Sequence, residues 1–106
     1  MPKYLIQASY TEQGLKGLLK DGGSRRREAV DQMLKTVGGR VEAFYYGFGT
    51  DDVVAILEAP GNVEAAALSL AVNASGAVKL RVTVLVTPEE IDQATKRAVA
   101  YRAPGQ

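Results

Sequence analysis

The stretch Val53-Val54-Ala55-Ile56-Leu57-Glu58-Ala59 decides how this chain folds. Successive side chains of a strand point to opposite sides of its sheet, so five consecutive apolar residues predict a strand covered on both faces. Pro60-Gly61 ends the run. In a chain of 106 residues the helices can cover only one of those faces. A second copy of the sheet is the simplest cover for the other. Val53, Val54, Ile56 and Leu57 are therefore candidate interface residues, and self-association as a homodimer or higher homo-oligomer is the expected partnership.

Working outward, Arg40 to Phe48 predicts the preceding strand, joined through the turn residues Gly47-Phe48-Gly49-Thr50. Further upstream, Tyr4 to Tyr10 predicts the first strand, with Tyr4, Ile6, Ala8 and Tyr10 on one face. Thr11 offers an N-cap for a helical segment carrying Leu15, Leu18 and Leu19, which Gly22-Gly23 breaks. Ser24 is the next cap candidate, followed by Ala29, Val30, Met33, Leu34 and Val37 at helical spacing and by Gly38-Gly39 as a left-handed stop. Downstream, Asn62 is positioned to cap an Ala-rich helix that ends at Ser75-Gly76. Val78 to Val86 alternates as a fourth strand, with Lys79, Arg81 and Thr83 on its polar face. Thr87-Pro88-Glu89-Glu90 is a capping box that opens a last helix over residues 88–101, with Ile91, Ala94, Ala98 and Val99 as its apolar side. The order β-α-β-β-α-β-α predicts one α+β domain over residues 1–106, a ferredoxin-like split sandwich with a four-stranded antiparallel sheet and an appended C-terminal helix.

Composition narrows the chemistry. Thirteen basic against twelve acidic residues leave a net charge of +1, which argues against a dedicated polyanion binder. The absence of Cys and His removes thiolate and imidazole nucleophiles, their metal sites, and the usual general base near neutral pH. Any acid–base catalyst must be Asp, Glu, Lys or Tyr. No motif implies a cofactor. The N-terminal MPKYLIQASY has neither a signal-peptide core nor enough apolar length for a membrane span, so a cytoplasmic protein is expected.

Several segments in order resemble the GYD-domain family of small bacterial and archaeal proteins: Tyr10-Thr11-Glu12-Gln13-Gly14, Gly38-Gly39-Arg40-Val41, Gly49 through Pro60, and Ala74-Ser75-Gly76-Ala77-Val78. The resemblance covers about residues 1–87. It implies a fold of the dimeric α+β barrel type, in which two ferredoxin-like sheets pack face to face. Gly49 and Asp52 match the family motif, whereas Asp51 stands where the family usually shows tyrosine. No activity follows from the resemblance.

The candidate chemistry divides into five features. Asp51 and Asp52 are adjacent and are expected to diverge rather than share a proton or metal. Tyr45 and Tyr46 point to opposite faces, so at most one lines any cavity. Arg81, if it faces a partner sheet, needs an acid such as Asp52 or Glu58. Arg25-Arg26-Arg27 is a basic run more consistent with a solvated face than with nucleic-acid binding, even together with Lys16 and Lys20. Gly47-Phe48-Gly49 resembles a phosphate loop but lacks a following helix to complete an anion site. Three functions are open: a self-associating domain with a small ligand between sheet and helices; a cofactor-free enzyme on a small aromatic or carbonyl compound using Tyr10, Tyr45, Asp52 and Arg81; and nucleic-acid binding through Arg25–Arg27.

Overall fold

The computed structural model describes residues 1–106. The elements are β1 (Lys3–Tyr10), α1 (Glu12–Asp21), α2 (Gly23–Thr36), β2 (Arg40–Tyr46), β3 (Val53–Glu58), α3 (Asn62–Ala74), β4 (Val78–Leu85) and α4 (Pro88–Thr95). The sheet runs β2-β3-β1-β4 with every neighbouring pair antiparallel, which is the ferredoxin-like arrangement. The two central strands are β3 and β1, as the apolar character of residues 53–57 requires.

Register separates the sheet into two faces. Tyr4, Ile6 and Ala8 lie opposite Leu57, Ala55 and Val53, and all six are buried on the helix side. Leu34 of α2 is wholly buried in the same core with Ala59, Ala65 and Leu68. The buried Tyr4 hydroxyl donates to Asn62 Oδ1 at 2.8 Å, so the core's one phenol is satisfied at the start of α3. On the other side lie Leu5, Gln7, Ala43, Val54 and Ile56, with no element of this chain above them.

Local sequence explains most helix ends and corrects three expectations. Thr11 Oγ1 accepts from the Gly14 N–H, and Thr87 and Glu90 complete the capping box. Past α2, Gly38 has φ 78°, its N–H bonds to the Lys35 carbonyl, and the Gly39 N–H reaches the Leu34 carbonyl. That is a Schellman stop, built where only glycine enters the left-handed region cheaply. Ser24, however, is not a cap: α2 starts two residues earlier than such a cap would give, off Gly22, with no side-chain cap. Asn62 does not cap α3 either, because its side chain is committed to Tyr4; Gly61 occupies that position. The last helix ends at Thr95 rather than near 101, buries no residue, and leaves Ile91 and Val99 exposed. Strands β2 and β4 also stop short of Phe48 and Val86.

In α1 the buried residue is not one of the expected leucines but Gly14; Leu15 and Leu19 face outward. A Cβ at Gly14 would lie 1.9 Å from the Ala77 carbonyl oxygen, so the helix can approach the sheet only without a side chain there. Gly17, on the same helix, would meet nothing within 4 Å. Gly14→Ala is therefore expected to lower unfolding free energy by about 1–3 kcal/mol, and Gly17→Ala to raise it by about 0.5–1 kcal/mol. Urea denaturation of the two variants measures both signs.

Candidate functional site

A β-bulge determines which tyrosine enters the helix-side cleft. Val41 pairs with Leu57, but the register slips at Glu42, so Phe44 pairs with Ala55 and Tyr46 with Val53. Without the extra residue, alternation from Val41 would turn Ala43 and Tyr45 inward. With it, Phe44 and Tyr46 face the helices, while Tyr45 lies on the outer face and is 72% exposed.

The four residues expected to act together are consequently split by the sheet. Tyr10 and Asp52 meet at one end of the helix side, where the Asp52 carboxylate accepts the Tyr10 N–H at 2.8 Å. Arg81 and Tyr45 are on the outer face. The acid that Arg81 finds is neither Asp52 nor Glu58 but Asp51, which takes two contacts from its guanidinium at 3.0 and 3.1 Å and a third from Gln7 at 3.3 Å. The two adjacent aspartates thus diverge, and each has a structural partner. Glu58, also on the outer face, is buried between Lys3 and Arg40. Lys3 titrates above its ordinary value because of its hydrogen bond to Glu42, against partial desolvation and with the further attraction of Glu58. No cluster of three or more acidic groups suited to a metal ion occurs.

On the helix side a cleft opens between α1, α2, α3 and the sheet. Its mouth, about 470 Å³, is bounded by Tyr10, Gly14, Asp21, Arg26, Met33 and Val72 among others. An inner chamber of about 110 Å³ continues from it over Ile6, Ala8 and Ala55, sharing Tyr10, Arg26, Met33, Val72 and Val78 with the mouth. Tyr46 stands beside this end, packed edge to face on Phe44 at 5.3 Å, and its hydroxyl donates to the Gly23 carbonyl at 2.9 Å. Burial, reinforced by the neighbouring Tyr10 phenol, pushes the Tyr46 phenol above 10.0; Arg26 opposes that shift.

Arg26 and Tyr46 are the two site residues that the sequence does not single out: one stands only as part of a basic run, and Tyr45 is favoured over the other. The bulge hid Tyr46. Arg26 was hidden inside a run of three identical charges, which a helix spreads by about 100° per residue. Arg25 is exposed, Arg26 lines the cleft, and Arg27 pairs with Asp31 and lies 5.5 Å over the Phe44 ring. The run does not form one patch, and Lys16 is paired with Glu12.

With this geometry in place, comparison with known families gives one match: the profile of the GYD domain matches residues 4–95 of the 106. A search of curated proteins finds no match. No helix is long and apolar enough to cross a membrane.

The Tyr46 environment has a pH consequence. The folded chain holds this phenol protonated above 10.0, the ordinary value that unfolding restores. Stability from this group is therefore complete below pH 10.0 and is lost as pH rises through the folded value. Tyr46→Phe is expected to flatten that alkaline fall, and to remove a phenol of raised pKa from an ultraviolet titration at tyrosinate wavelengths.

Proposed function

The chain belongs to the GYD-domain family, and from its open outer sheet face we propose a self-associating domain: a homodimer that packs two such faces together, with a small-ligand cleft on the helix side of each sheet. The observation that carries this is the unburied apolar centre of the outer face. Leu5 and Ile56 are only half-covered there and Val54 is 40% exposed, although they sit on the two middle strands of the sheet, and Ala43 on the adjoining edge strand is half-covered too.

Surface area supports the same reading. A compact monomer of 11.3 kDa exposes about 5,700 Å². This chain exposes 7557 Å². The excess falls within the roughly 1,000–2,500 Å² that each subunit of an obligate dimer buries. Its radius of gyration, 16.9 Å, likewise exceeds the about 13 Å of a compact chain this long. The outer face also has the anatomy of an interface, an apolar centre between charged ends: Lys3, Arg40, Glu42 and Glu58 at one end, and Arg81 with Asp51 at the other. Helix α4, which leaves the sheet edge without burying a residue, is then an arm for the partner to cover.

An enzyme acting through Tyr10, Tyr45, Asp52 and Arg81 needs those groups on one substrate, and the sheet stands between them. Among the functions open to the sequence, association with a ligand cleft fits the geometry best.

Light scattering and sedimentation test the association. Wild type is expected at twice the chain mass at micromolar concentration. Val54→Glu with Ile56→Glu places unpaired charges in the interface and is expected to weaken the dimer roughly 100-fold or more. A clean monomer for wild type, or an unchanged dimer for the double variant, removes the proposal's basis.

A further inference from the structure

The helix-side cleft is shaped by small residues. Ala8 and Ala55 form its floor, where larger side chains would fill the space below α2 and α3. The chamber they leave, about 110 Å³, is somewhat smaller than the ~150 Å³ aliphatic cavity that takes up benzene. It therefore suits a single ring or a short branched alkyl group, with room in the mouth for a substituent.

One charged side chain lines that chamber. Arg26 makes no ion pair, although its neighbour Arg27 is paired with Asp31. A guanidinium at the edge of an apolar space recognises a carboxylate through two parallel hydrogen bonds, and weak competition from water strengthens them. Tyr10 stands at the same edge, with its phenol beside that of Tyr46. The Tyr46 hydroxyl does not donate into the cleft, because its proton is committed to Gly23. Asp21, on the outer mouth, would repel a second anionic group.

We infer that this cleft binds a small monocarboxylate with a compact apolar body, the body in the inner chamber and the carboxylate on Arg26. The inference deepens the ligand half of the reading above and is independent of self-association, which uses the opposite face of the sheet.

The test uses the full chain and two probes of equal shape, phenylacetate and uncharged phenylacetamide. Calorimetry is expected to show one phenylacetate per chain. Phenylacetamide is expected to bind roughly tenfold or more weakly, the worth of a charge-assisted hydrogen bond. Phenylacetate should shift NMR resonances of Arg26, Met33 and Val78, not those of Val54 or Arg81. Arg26→Gln, with a wild-type circular dichroism spectrum, should reduce phenylacetate to the affinity of the amide and leave the amide unchanged. Equal affinity of the two probes for wild type, a comparison that needs no variant, overturns carboxylate recognition while leaving the cleft a ligand site. Binding of neither at millimolar concentration overturns both, and the scattering mass of the same sample reports separately on the dimer. Shifts confined to the outer face overturn the placement.

Discussion

Two apolar faces on a sheet with helices for only one is the constraint from which the rest of this molecule follows. Val53, Ala55 and Leu57 bury themselves under α2 and α3, and the intervening Val54 and Ile56 are left facing away from every helix. Strand pairing permits no escape, since a slip of one residue would only exchange the two sets. At about 25 cal/mol per Å² of apolar surface removed from water, an uncovered sheet centre leaves unused much of what a domain this small has available. The ion pairs at both ends of that face are consistent with an edge that remains wet while its centre is covered.

The bulge at Glu42 shows how one residue of register reassigns chemistry. It costs one ladder position, and in return Phe44 and Tyr46 pack inward while Tyr45 turns out. The inward pair then meets α2: Tyr46 bonds Gly23, and Arg27 stacks over Phe44. This holds the first turns of α2 against β2 and so directs Arg26 toward the cleft. A Cβ on Gly23 would lie 3.1 Å from the Tyr46 ring, a tight contact that the ring must shift by a few tenths of an ångström to admit.

What the sequence made legible followed from local rules. The faces of β1, β3 and β4, the Schellman glycines, the Thr11 cap and the Thr87 capping box depend on neighbours within a few residues, and each is where the pattern places it. What stayed hidden depended on tertiary partners. Asn62 looks like a cap, but Tyr4 takes its side chain. The leucines of α1 look like a core stripe, but a close approach to Ala77 puts Gly14 against the sheet instead. Tyr10, Tyr45, Asp52 and Arg81 looked like one constellation because nothing in their order reveals that the bulge turns Tyr45 outward and that Tyr10 and Asp52 meet on the helix side. The α4 pattern, Ile91 with Ala94 and Ala98, is amphipathic by its spacing, yet this chain contains nothing for it to pack on.

Asp51 illustrates how the two faces are kept apart. Its carboxylate reaches over the end of the outer face to Arg81 and Gln7. The pair is lopsided: the carboxylate is largely covered at 15% exposure while the guanidinium stays mostly in water, so its ionic worth is modest. Its geometric effect is larger. By drawing residue 51 outward it leaves Asp52 to take the Tyr10 N–H, and that bond anchors the end of β1 beside the cleft mouth. In this chain the outer face therefore ends in a charge pair, and the phenols that remain near the motif, Tyr10 and Tyr46, belong to the helix side.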